Sequence, residues 1–275
     1  MSRPPIPKEH GAWVMLGWPF LSAMLLSIRQ PWMPADTHWL DWLQLVLAAA
    51  LAYSAFDSFR RAMRQARARG DGWFAAFTGN DGFRWGLAYG FIALLMGYRL
   101  FIAPEHRSLC WLATVGAVSM LLNLAIVRGR AERSLIGELF GALTLSLAMP
   151  AALILTFGGW QVGFTGLWTL AFLFNASGIL YARMCREAVV VGIESEGLPT
   201  KVRQLASFML ASFVILGVQI AGGKVSWTGA LSLLPMWLMM RAGIKNPLIH
   251  NSIKSLGFTL LGQAIVFALL MGITA

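Results

Sequence analysis

Asp57, Arg60, Arg61 and Arg64 stand at i, i+3, i+4 and i+7 near the end of an apolar run. On a helix that spacing lines one face, so a single carboxylate can orient a cluster of guanidiniums. Such a cluster holds phosphate or diphosphate through paired, charge-assisted hydrogen bonds. The same residues also suit a cationic anchor against anionic lipid, with Asp57 pairing Arg60 or Arg61. A second group lies in AFLFNASGILYARMCREAVVVGIESEGLPTKVR, residues 171–203. There Asn175 enters an apolar helix, and Tyr181, Arg183, Arg186 and Glu187 mark its exit. Asn175 and Arg186 are eleven residues apart and fall on nearly one helical face. A polar face within a membrane helix is costly unless it lines a bundle interior or a water-filled cavity. The expectation is that arginines of both groups meet around one pocket open to the cytoplasm. The bland alternative is an interhelical hydrogen bond from Asn175 and an ordinary interfacial rim.

Glu138 follows AERSL, a few residues into another apolar run. A helix dipole favours an acid there, and Arg133 or Arg130 could pair with it; it could equally serve a cavity as proton acceptor or cation ligand. Asp57, Glu138 and Asn175 are thus the candidates for orienting an acceptor or moving a proton. Arg60, Arg61, Arg64, Arg183 and Arg186 are the candidates for clamping an anionic head, with His10, Tyr181 and Lys254 beside them. His10 and Glu9 flank the first apolar run, but one histidine and one acid do not make a metal site. His38, His106 and His250 are scattered, and haem ligation by His10 and His250 would require both on one side. Cys110 and Cys185 fall at opposite membrane faces, so neither a disulfide nor a thiolate metal site is expected. No phosphate-binding loop, dinucleotide fingerprint or nucleophile elbow is present.

The elements that must position these groups are apolar spans. The chain has 275 residues, 57% hydrophobic and 12% charged, with a mean hydropathy of +0.65. Apolar runs of about twenty residues recur along it, which predicts an all-α, polytopic transmembrane helix bundle forming one integral membrane domain, residues 1–275. Nine spans are expected: 11–28, 40–56, 85–103, 109–127, 135–157, 166–184, 202–221, 227–240 and 255–274, the eighth short and broken by Pro235. With the N-terminus inside and the C-terminus outside, 18 of the 22 basic residues lie on the cytoplasmic side and four, Arg29, Arg99, Arg107 and Lys224, outside. That is the bias the positive-inside rule describes. It also accounts for the +10 net charge without a nucleic-acid partner. The two longest connections, about 57–84 and 183–201, fall on the cytoplasmic side with four spans between them. The echo of GAWVMLGWP, 11–19, in GALTLSLAMP, 141–150, hints at a repeat of spans one to four in five to eight.

PKEHGAWVML, AERSLIGELFG, ILYARMCRE and IKSLGFTLLGQ together resemble the YwiC-like family of bacterial integral membrane proteins, across essentially the whole chain. That resemblance implies a multi-pass protein of the bacterial cytoplasmic membrane. More distantly, nine helices with large cytoplasmic loops after spans two and six resemble the UbiA superfamily of intramembrane prenyltransferases. The likeness implies aspartate-rich motifs at those two places, binding Mg²⁺ and a prenyl diphosphate. Here the first place, YSAFDSFRRA, keeps one aspartate, Asp57, and the second, YARMCRE, has Glu187 as its sole acid. Two acids on separate helices are poor provision for a Mg²⁺–diphosphate pair.

Three functions compete. One is a UbiA-like bundle holding an isoprenoid or membrane lipid by its anionic head, with prenyl transfer or alteration of a quinone-like lipid as its chemistry. Another is a carrier or permease, since buried polar residues also mark transport paths. The third is an accessory or assembly factor for a respiratory membrane complex, whose helical surface would be the working part.

Overall fold

The computed structural model describes residues 10–29, 39–70, 80–103, 106–128, 135–161, 163–250 and 252–274, without the side chains of 10–12, 27–29 and 127–128. Every regular element among them is helical. All nine apolar runs are helical, and seven helices are long and apolar enough to cross a bilayer. The exceptions are α1 (His10–Arg29), whose described apolar stretch is 13–26, and the broken eighth run. Internal contacts divide the chain into two units, 1–12 with 33–160, and 13–32 with 161–275.

The first unit contains α2 (Trp39–Ala68), α3 (Asp81–Ile102), α4 (Arg107–Arg128), α5 (Leu135–Ser146) and α6 (Ala148–Phe157). Its most extensive packing joins α2 to α3. Small residues permit the close approach that packs helices in lipid: Ala55, Ala62 and Ala66 are buried on α2, and Gly86 of α3 faces the Phe59 ring. A Cβ at Gly86 would stand 2.7 Å from that ring. Asn80 starts α3 by accepting the Gly82 N–H at 2.8 Å, which satisfies one otherwise orphaned donor. Span five is not one continuous helix. It breaks at Leu147, because Pro150 lacks an N–H and its ring crowds the carbonyl four residues back, that of Ser146.

The second unit contains α1, α7 (Gly163–Val190), α8 (Leu198–Ala221), α9 (Trp227–Ala230), a 3-10 turn Leu231–Leu233, α10 (Leu234–Lys245) and α11 (Ile253–Thr274). The central helix is α7, buried at every position from Leu173 to Gly178 and apolar almost all round, as a helix enclosed by others should be. On α8 a narrow seam, Leu198, Leu205, Ser212 and Leu216, is buried, while Leu210, Val214 and Val218 face outward. Pro235 breaks the eighth run as Pro150 does the fifth, leaving the tight turn before α10. The helix ends sort into two groups. At one end Ser226 and Thr228 hydroxyls donate to the Thr274 carbonyl, and Gly166 packs on the Lys224 backbone. At the other end lie Tyr181, Glu187, Lys201 and His250.

Two stretches expected as long polar connections are mostly helix. The α2 helix runs twelve residues past Phe56 to Ala68, and α7 runs six past Met184 to Val190. Arg, Ala, Met, Gln and Glu are strong helix formers, so each helix continues once it has left the apolar layer. The connection from α7 to α8 is thereby only 191–197.

Candidate functional site

In the first unit the cluster read from spacing forms on α2. Asp57 is 2% exposed, an expensive place for a carboxylate unless it is paired. Arg60 donates to Asp57 Oδ1 at 2.9 Å. The Arg61 guanidinium stands 2.5 Å from Oδ2, close in distance though off the hydrogen-bond line. Arg60 also lies over the Phe56 ring, 5.9 Å from its centroid, a favourable cation–π placement. The two arginine side chains are 14% and 27% exposed. Arg64 follows one turn on, half-buried, and the helix continues to Arg67. Just past this tail Asn80 secures the start of α3, its Nδ2 within 3.5 Å of the Ala62 carbonyl and the Gln65 side chain. Glu138 sits in the first turn of α5, half-buried, where the helix dipole favours an acid.

In the second unit Asn175 does something different from the expectation. It is 1% exposed and its Oδ1 accepts the indole N–H of Trp18 at 3.0 Å. Trp18 meets Phe174 and Phe267 edge-on, with centroids at 5.3 and 4.8 Å, and those two rings stack at 4.3 Å. Asn175 is thus a polar pin in an aromatic core. Arg186 is exposed at the end of the same helix, about 16 Å further along the axis. Angular alignment on a helix did not bring the two together, because eleven residues separate them by about three turns and Arg186 faces outward at its level.

Tyr181 is fully buried, and its hydroxyl lies 2.8 Å from His250 Nε2. Cys185 lies one turn on and is fully buried as well. Glu187 takes the Ser195 hydroxyl at 2.5 Å and the Lys201 ammonium, closing the 191–197 connection over the helix end. Arg183 is half-buried beside it, and Lys254 is exposed at the start of α11. His10 begins α1, but its side chain lies outside the described residues.

The Mg²⁺ implied by a prenyltransferase likeness can be tested against these contacts. Asp57 is nearly sealed and both its oxygens face guanidiniums. Glu187 is occupied by Ser195 and Lys201. A hard cation with a diphosphate wants several free oxygen ligands, and these residues do not fit it. Among the described residues no three His, Cys, Asp or Glu side chains stand together as a metal site.

Trp18, His250, Ser195, Lys201 and Asn80 are the participants that residue spacing missed. Trp18 carried a readable signal, since a buried indole N–H needs an acceptor. No curated protein and no solved structure matches the chain. Residues 6–153, more than half of the sequence, match the family model described as YwiC-like protein, and the chain belongs to that family.

Proposed function

We propose that this YwiC-like protein lies in the bacterial cytoplasmic membrane with its N-terminus inside and its C-terminus outside, in a UbiA-like order of spans. There it holds the anionic head group of an isoprenoid or other membrane amphiphile at the cytoplasmic extension of α2. One observation carries this: the buried Asp57 fixes two guanidiniums just where α2 leaves its apolar stretch. A mere cationic anchor needs no buried carboxylate, since water and lipid head groups satisfy its arginines. Fixing arginines in advance is what phosphate recognition requires, because less side-chain entropy is then lost on binding. A phosphate or diphosphate monoester is the anion that two arginines held side by side suit best. Function here is binding and presentation of that head; no transfer step is assigned to Asp57, whose oxygens are taken.

Lipid mass spectrometry on protein purified in mild detergent tests it. Wild type is expected to retain one class of phosphate-bearing amphiphile above the level of an unrelated membrane protein. Arg61→Ala, checked for folding by gel filtration, is expected to lose it at least tenfold, and Arg69→Ala to keep it. Absence of any enriched anionic amphiphile, or its unchanged retention by Arg61→Ala, would refute the assignment.

A further inference from the structure

The buried pair Tyr181–His250 takes no part in the head-group site, and its geometry is that of a device. His250 is 6% exposed and lies in the short connection between α10 and α11. That connection is otherwise held by its own turns, the Ile249 N–H donating to the Asn246 carbonyl and the Leu248 N–H to the Asn246 side chain. Its bond to α7 is the 2.8 Å contact with the Tyr181 hydroxyl, with the two rings edge-on at 5.7 Å. Gly243, near the end of α10, packs directly on the same tyrosine ring and on Met184. Tyr181 therefore sits beneath the end of α10 and the start of the following connection.

The surroundings are suited to neutral imidazole only. One turn on from Tyr181, α7 carries the buried Cys185 thiol on the same face. The charged residues on the adjoining helix ends are Arg241 and Lys245 of α10, Lys254 of α11, Lys201 and Arg203 of α8, and Arg183, Arg186 and Glu187 of α7. Of these only Glu187 is an acid, and Ser195 and Lys201 hold it, while Glu194 and Glu196 are exposed in the 191–197 connection. An imidazolium here would be buried, and no ion pair with His250 is present among the described residues, which disfavours the charged form. Burial accordingly holds the His250 imidazole below its ordinary basicity. Where the phenol donates to Nε2, protonation would put a hydrogen on that nitrogen and force the phenol to turn its own hydrogen away.

We infer that the Tyr181–His250 hydrogen bond is a proton-sensitive tether, closing the α10–α11 connection onto α7 when His250 is neutral and releasing it when His250 is charged. Because the folded chain binds this proton less tightly than the unfolded chain, acidification weakens the closed state and alkalinity leaves it intact. Release begins as the pH falls below about 6.5, the free imidazole value.

Hydrogen–deuterium exchange of the full chain in lipid nanodiscs, corrected for intrinsic exchange rates, reads the tether directly. Between pH 7.5 and 5.5, wild type is expected to lose protection at least tenfold over 246–256 while the middle of α7 stays protected. Tyr181→Phe should show the weakened state already at pH 7.5. His250→Gln, which can accept the phenol's hydrogen without titrating, should show no pH dependence. Equal wild-type protection at both pH values would overturn the inference, as would a His250→Gln profile that falls with pH like the wild type. Should His250→Gln fail to fold, the wild-type titration decides alone: a midpoint below pH 6.5 upholds the tether and a flat profile sinks it.

Discussion

Replacing Asp57 with asparagine should destabilise the first unit more than removing either arginine it binds. The reason is an asymmetry of burial. Asp57 is nearly sealed, whereas Arg60 and Arg61 retain 14% and 27% of their side-chain exposure. Breaking a fully buried ion pair by removing one partner costs about 3–5 kcal/mol. Here both arginine side chains are part-exposed, which screens the charge left behind, so about 2–3 kcal/mol is the appropriate discount of that range. Asn keeps an oxygen for Arg60 but leaves two adjacent guanidiniums without their counter-charge. Arg61→Gln leaves Asp57 its bond to Arg60 and should cost about 1 kcal/mol, the upper end for a part-exposed ion pair. For a chain of this size, 2–3 kcal/mol corresponds to a fall of about 5–10 °C in the unfolding midpoint. Thermal unfolding in detergent, followed by intrinsic tryptophan fluorescence, compares Asp57→Asn, Arg61→Gln and the double variant. The double variant should be less destabilised than the sum of the singles, since the residues share one network. If Asp57→Asn unfolds within 1–2 °C of wild type, or Arg61→Gln is the more damaging, Asp57 is not what holds the arginines.

Three further outcomes follow from the second unit. Trp18→Phe keeps the aromatic contacts but leaves the Asn175 oxygen without the indole donor, at about 1–3 kcal/mol; adding Asn175→Leu should recover part of that in the same unfolding assay, because removing both partners is cheaper than orphaning one. Gly243→Ala puts a methyl against the Tyr181 ring and 3.0 Å from the Met184 methyl, an overpacking expected to cost about 1–3 kcal/mol and, by deuterium exchange, to loosen the 246–256 segment at neutral pH. Glu187→Gln removes the charge that holds Lys201 and weakens the hold on Ser195, so limited trypsin digestion should cut at Lys201 several-fold faster, with unchanged rates there contradicting the latch.

Some of the site was legible without coordinates. Asp57, Arg60 and Arg61 form their cluster within two helical turns, so the i, i+3, i+4 rule sufficed to pair them. The same rule failed for Asn175 and Arg186, because sharing an angle on a helix says nothing of what packs at each level. Tyr181 was picked out from the rim of its helix, yet its partner His250 was set aside as one of several scattered histidines. The breaks at Leu147 and before α10 show the opposite case. Pro235 and Pro150 both break their spans, and one steric cause governs both.

What the sequence determined alone is the all-helical, membrane-spanning class, the placement of positive charge beyond the helix ends, and the local ion pairs. These follow from hydropathy and 3.6-residue periodicity, which are properties of a short window of chain. Tertiary structure decided that Asn175 answers Trp18, 157 residues away, and that Tyr181 answers His250, 69 residues away. Apolar helices in lipid have no strong hydrophobic preference for one neighbour over another. Which side chains meet is therefore fixed by the fit of small and aromatic residues across helix faces, a relation between distant segments that no single stretch of sequence contains.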